Sequence, residues 1–439
     1  MRKLLSIILT ILFMFTLVSC SREKKNGVIS RNAKEIKSLE PGGDYDDLEF
    51  LKEELKDKKI VGLGEATHGT REFFTMKHRL VQYLVEEMGY RAFVMEINAD
   101  GALSVNDYIL NGQGTIEDAL TGLGYNVYQT EEVRDMLQWM KEYNDNADNE
   151  SKIKFYGMDC RTYYYLLKYI DEYAAAIDKD IKKEIRDNLK EIYSYPDGDY
   201  NGREYKEICE GADNAIDLVK SKAGYCSSNN LKEEYDSLLY TLHQLKSSME
   251  YYGVKYAKGD GTMKTIETRD RIMAENISYI YDYELEKGND KVIVWAHNLH
   301  IGSSQYDWDS LGWNLKKVYG EEYYALGFEF LKGKFSSVDS RDYEIQRYNN
   351  MKEFEAPDCD PQGISILLDT AGIPNYFIKV SNTGDKELDE KLSEKLSFHG
   401  IGCPYYVEYR DTCFRYEIPN TLFDGLIYIR DTTASKVIK

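Results

Sequence analysis

The sequence predicts an α/β fold with a mostly parallel central sheet, flanked by helices and interrupted by an inserted helical subdomain. Three observations predict it. Short apolar runs alternate with helical patterns from residue 45 to 160, charged helical segments fill 161 to 285, and strand-like runs return between 286 and 439. Near-continuous apolar runs suit strands covered on both faces, and the helices between them are the crossovers that parallel strands need.

In chain order, the first run is IVGLG at 60–64, followed by a helix from about 70 to 88. At 100° per residue Phe73, Met76, Leu80, Leu84 and Met88 fall on one face, and Gly89 supplies the stop. AFVMEI at 92–97 and KIKFYGMD at 152–159 complete this first half of the core. YYYLLKYIDEYAAAI, LKEEYDSLLYTLHQLKSSMEYY and TRDRIMAENISYIYDY then read as helices of the insertion. KVIVWAH at 291–297, YYALGFEF at 323–330 and DGLIYIRD at 424–431 supply strands of the second half. No internal repeat or low-complexity break divides residues 45–439, which are enough for a large core.

The first 44 residues are different in kind. Arg2 and Lys3 precede an apolar run at 4–18 that ends in Leu17-Val18-Ser19-Cys20, the pattern of a secretion signal. The run is shorter than the roughly 20 residues a spanning helix needs, and small residues before Cys resemble a lipoprotein cleavage box. Residues 1–19 are therefore expected to be removed and Cys20 to carry lipid. Residues 20–44, polar and closing in Pro41-Gly42-Gly43, are expected to form a flexible tether. The protein is expected to work outside the cytoplasm, anchored to the membrane by that lipid.

The chain carries a formal net charge of −20. Loss of Arg2 and Lys3 with the signal leaves 54 basic against 76 acidic residues, so nucleic acid is repelled. Besides Cys20 the cysteines stand at 160, 209, 226, 359, 403 and 413, with no CxxC pair to hold zinc. Cys403 and Cys413 are the nearest candidates for a disulfide. A monomer is expected.

Chemistry gathers at the ends of the apolar runs. The first leads through Gly64-Glu65 to His68, the second carries Glu96, the third ends in Asp159, and the fourth ends in His297-Asn298-Leu299-His300. Ligands of open parallel sheets bind outside the carboxyl ends of the strands, so these groups form one candidate site. Lys77 sits in the apolar stripe of the helix after His68, where it must reach water or a carboxylate. No GxSxG, Walker A, GxGxxG or HExxH motif is present. The remaining chemistry is hydrolysis in which a histidine takes a proton from water, a carboxylate orients its ring, and a cation or donor meets the oxyanion. Two other readings use the same residues: a metal-dependent hydrolase or protease with Glu65, His68, His297 and His300 as ligands, and a binding lipoprotein without turnover.

GLGEATHGTREFFTMKHRL, FVMEIN, YGMD at 156–159, TRDRIMAENI at 268–277, VWAHNLHIG at 294–302 and FDGLIYIRDTTAS resemble the erythromycin esterase family, in order, from about 58 to 435. The resemblance implies hydrolysis of a carboxylic ester or macrolactone, with no acyl-enzyme, cofactor or required metal, and a macrolide-like small molecule as substrate. It implies His68 as general base, Glu65 and Glu96 as the acids that orient it, and His297 and His300 as an assisting pair, with Asp159 nearby. Characterised members carry arginine where this chain has Lys77, a difference that bears on the substrate rather than on the hydrolytic class.

Overall fold

The computed structural model describes residues 27–194, 202–303, 305, 307–344 and 350–438; the expected signal peptide and Cys20 lie outside the described residues. Eleven strands are present among them: β1 Lys34–Glu35, β2 Ile60–Leu63, β3 Ala92–Asn98, β4 Lys154–Asp159, β5 Val292–Trp295, β6 Tyr323–Val338, β7 Met351–Glu355, β8 Asn375–Lys379, β9 Leu396–His399, β10 Phe414–Glu417 and β11 Gly425–Thr432. The main sheet runs in the order β1-β8-β11-β6-β2-β5-β3-β4, with β7 turned back on β6. From β11 to β4 every neighbouring pair is parallel, while β8 and β1 close one edge antiparallel. β9 and β10 form a separate ribbon.

The apolar runs are strands because helices cover both faces. Val94, Val292 and Val294 point into one core, shared with Ile170, Leu242, Met273 and Ile277 of the insertion. Their chain neighbours Phe93, Ile293 and Trp295 point into the other, shared with Phe73, Met76 and Leu80 and with Met136, Leu137 and Met140. Successive side chains thus feed opposite cores, and neither face can be polar. Between β4 and β5 the chain builds only helices among the described residues, from Leu166–Ile177 through Lys232–Lys258 to Met263–Leu285.

The helix expected at 70–88 forms as Arg71–Met88 and stops at Gly89, whose φ of 75° is left-handed. It is buried all round from Phe73 to Val85 rather than along one stripe. Its outer side is covered by Glu131–Asn146 and by the segment before β2, where Arg79 pairs with Asp47 at 2.6 Å.

The amino-terminal segment corrects the expected tether. Val28–Asn32 is a helix that buries Val28 and Ile29, Lys34–Glu35 pairs with β8, and Ile36 is 2% exposed. Arg31 bridges to Asp385 and Glu387. Three apolar side chains and an edge strand dock residues 28–36 on the fold, although their composition is polar on average. Cys403 and Cys413 are free thiols, as are the other four described cysteines. No helix among the described residues is long and apolar enough to cross a membrane.

Candidate functional site

The site lies where β2, β5, β3 and β4 end side by side. The loop after β2 is clamped against β6 and the carboxyl-terminal segment. Ser336 N and Ser435 N both donate to Gly69 O, and a Cβ on Gly69 would meet Ser336 O at 1.8 Å, so only glycine fits there. Asn298, after β5, donates its backbone N–H to Glu65 O at 2.8 Å and exchanges two hydrogen bonds with the Phe328 backbone of β6. Three strand ends are thereby fixed to one another before any substrate arrives.

Glu65 is fully buried and both of its oxygens are partnered. Oε1 pairs with His68 Nδ1 at 2.7 Å, while Oε2 accepts from Lys77 Nζ at 2.5 Å and from Trp295 Nε1 at 2.9 Å. Burial alone would raise its pKa, but Lys77 and His68 outweigh that and hold the carboxyl below its usual range. Lys77 is itself 0% exposed and sits 4.2 Å from the centre of the Trp295 ring. Burial lowers its pKa to about 8, against the pull of Glu65. Of the two courses open to a lysine in that apolar stripe, water or a carboxylate, Lys77 takes the carboxylate: it lies behind Glu65 and is not among the residues that line the cavity.

A second network surrounds Glu96 and Asp159. Arg269, from Met263–Leu285, places Nε on Asp159 Oδ1 at 2.9 Å and Nη2 between Asp159 Oδ2 and Glu96 Oε1, both at 2.8 Å. Glu96 Oε2 accepts the backbone N–H of His297 at 3.0 Å. Glu96 therefore orients the loop after β5 rather than the His68 ring. His300 gives Nδ1–H to Asp270 at 2.7 Å and Nε2–H to Glu96 at 3.2 Å. Burial would lower its pKa, yet Asp270 and Glu96 raise it to about 10. With Arg269 Nη1 also 3.1 Å from Nε2, both ring nitrogens are taken up within the network and neither is left for activating water. Asp270 is further held by Trp308 Nε1 and Leu311 N.

His297 behaves oppositely. It is 2% exposed, and burial and His68 lower its pKa to about 3. Its Nδ1 accepts from Leu299 N at 3.1 Å, which leaves the proton on Nε2; that buried donor has no hydrogen-bond partner among the described residues. The ring lies 4.8 Å from that of His68, centre to centre.

His68 and His300 are similarly exposed, 16% and 13% at the side chain, but His68 is the histidine that borders the cavity. It lines a cavity of about 240 Å³ with Glu96, Tyr125, Tyr128, Arg161, Val338 and Cys403 among its walls. A second cavity of about 530 Å³ shares Gly124 and Tyr125 with it and is walled by Tyr164 and Tyr165 of the insertion. Nδ1 of His68 being committed to Glu65, Nε2 is the nitrogen left for the cavity. The four residues of the metal reading are separately engaged, and among the described residues no group of three or more His, Cys, Asp or Glu is arranged to hold an ion.

Sequence reasoning missed Arg269, Asp270, Arg161, Tyr125 and Tyr128. One signal was available: Asp270, Met273, Ile277 and Ile280 recur at helical spacing and are all buried, so an acid occupies an apolar stripe and demands a partner. His399 is buried against Glu329 at 2.5 Å outside this site.

The erythromycin esterase family model matches residues 85–432, which include Glu96, Asp159, Arg269, His297 and His300, while Glu65, His68 and Lys77 precede the match. The chain is 23% identical to erythromycin esterase type II of Escherichia coli over 91% of its own length and 95% of that protein. It is 26% identical to the putative hydrolase YbfO of Bacillus subtilis (strain 168), covering 90% and 88% of the two chains. A solved structure of a Bacillus cereus protein superposes with a TM-score of 0.80 at 24% identity, covering 94% of this chain and 98% of that one, a likeness of fold. A family match across most of the chain, together with a relative spanning nearly its whole length, establishes that this chain belongs to the erythromycin esterase family.

Proposed function

We propose that the protein hydrolyses a carboxylic ester or macrolactone by water activated at His68, without an acyl-enzyme. Family membership supports a hydrolase. The observation that carries the mechanism is the Lys77–Glu65–His68 relay, which ends at the cavity. The neutral ring, with Nδ1–H donated to Glu65, takes a proton from water on Nε2 as the water oxygen attacks the carbonyl carbon. Glu65, kept ionised by Lys77, stabilises the imidazolium that results. The oxyanion contact is assigned here to the Nε2–H of His297, buried beside the His68 ring, since a buried donor without a partner among the described residues gains most from a charge that appears only in the transition state. Collapse expels the alkoxide, which recovers the proton from His68.

A covalent route is disfavoured by what lines the cavity. Cys403 is the one thiol or aliphatic hydroxyl there among the described residues, and burial raises its pKa, so it stays a poor nucleophile. Incubating the soluble domain with a panel of macrolides and simpler esters in ¹⁸O-water is expected to give ring-opened or cleaved products carrying one ¹⁸O by mass spectrometry, with no acylated protein. A trapped acyl-protein, or no product from any ester, would overturn the mechanism or the class respectively.

The pattern of residues 2–20 supports placing the protein outside the cytoplasm, held by lipid on Cys20. Cys20→Ser is expected to shift it from the membrane to the soluble fraction; an unchanged membrane share would contradict the anchor.

A further inference from the structure

We infer that Arg161 is a carboxylate-binding fork in this cavity, and that the substrate is an ester bearing a carboxylate of its own, such as a half-ester of a dicarboxylic acid. The inference deepens the hydrolytic reading and rests on it for the word substrate, though not for the binding site.

Arg161 immediately follows the end of β4 and Cys160, and its side chain is 41% exposed where it lines the cavity with His68. It is nevertheless held firmly. Nε donates to Asp159 Oδ2 and to Tyr125 Oη, both at 3.1 Å, and the guanidinium lies over the Tyr125 ring at 5.1 Å. Its backbone N–H is fixed by Asn98 Oδ1 at 2.8 Å and its carbonyl by Tyr252 Oη at 2.8 Å. All its side-chain hydrogen bonds use Nε, so Nη1 and Nη2 are without protein partners among the described residues. An arginine that serves only an ion pair presents its paired end to the carboxylate. Here Asp159 is already gripped on both oxygens by Arg269, and Arg161 adds only its inner nitrogen.

That leaves a pre-oriented pair of N–H donors on a planar cation, the geometry that matches the two oxygens of a carboxylate. Holding the guanidinium in place beforehand removes much of the side-chain entropy that weakens exposed ion pairs. The neighbouring charges do not compete for it: Glu96, the acid that lines the same cavity, is committed to Arg269, His300 and the His297 amide. His68 and Arg161 line the same small cavity, so an ester that carries its own carboxylate can meet both at once.

The experiment compares monoethyl succinate with ethyl butyrate, which has the same chain length without the carboxylate, by NMR of released ethanol, in wild type, Arg161→Gln and Arg161→Lys. The expected result is a wild-type preference in kcat/KM for monoethyl succinate that falls about 10-fold or more in Arg161→Gln, the scale of a lost charge-assisted hydrogen bond, carried by KM. Arg161→Lys is expected to recover only part of it. If Arg161 merely braces Asp159 and Tyr125, turnover of both esters falls together and the ratio does not move, which overturns the inference. Calorimetry of succinate against butyrate separates this from the hydrolytic reading. Succinate binding that weakens in Arg161→Gln but survives in His68→Ala supports the fork even where no ester is cleaved. Succinate bound no more tightly than butyrate rejects the fork even where esters are cleaved.

Discussion

Replacing His68 by alanine is expected to lower kcat for any cleaved ester by about 10²–10⁴-fold, the range of a lost general base, while the fold survives. His68 is the histidine of the site whose ring reaches the cavity with a nitrogen to spare; the other two are disqualified by their surroundings. His300 is held as a cation by Asp270 and Glu96, and His297 spends its one lone pair on Leu299 N. Because the His68 side chain also supplies the partner of the fully buried Glu65 Oε1, its removal should lower unfolding free energy by about 1–3 kcal/mol, well short of what unfolds a domain of this size. Steady-state kinetics beside a denaturant melt check both halves. Wild-type turnover in a well-folded His68→Ala protein would remove the base from the mechanism.

Arg269→Met is expected to cost about 3–5 kcal/mol of folding stability, the scale of a buried ion pair broken by removing one partner. Arg269 is the shared cation of Glu96 and Asp159, and Asp159 is fully buried. Without it, two carboxylates and the His297 amide that Glu96 fixes are left in a low-dielectric layer with His300 and the inner nitrogen of Arg161 as the remaining cationic contacts. Adding Asp159→Asn to Arg269→Met should restore part of the loss, since one uncompensated charge is then removed; a double variant no more stable than the single one would contradict the ion-pair account. The same network has a pH signature. His300, raised from 6.5 to about 10, contributes stability present in full below pH 6.5 and lost as pH climbs through 10. His297 and His78, lowered by burial to about 3, contribute in the opposite sense, in full above pH 6.5 and progressively less as pH falls toward 3. Unfolding free energy measured against pH should therefore decline on both sides of about 6.5, and the alkaline decline should shrink in Asp270→Asn.

What the sequence by itself determined is whatever depends on neighbours along the chain. Periodicity is a local property, so the strands at 60, 92, 154, 292, 323 and 425, the helix at 71–88 with its Gly89 stop, and the helical block between β4 and β5 were all legible. Glu65, Glu96, Asp159, His68, His297 and His300 were legible as strand-end residues for the same reason, since a parallel sheet brings all such ends to one edge. β1 has two exposed residues, and β7 and β10 are largely exposed and charged, so none of them carries the continuous apolar run of the central strands, while residues 28–36 dock through three side chains that polar neighbours outweigh.

Tertiary structure alone decided what each of those residues does. Arg269 lies 173 residues from Glu96 and 110 from Asp159, and Trp295 lies 230 from Glu65. Whether Lys77 faces substrate or stands behind a carboxylate, whether His300 is a base or a fixed cation, and whether Arg161 spends or offers its fork depend on those distant partners. Protonation and orientation are set by burial and by the charges a few ångströms away, and a linear sequence lists residues without saying which of them will be that close.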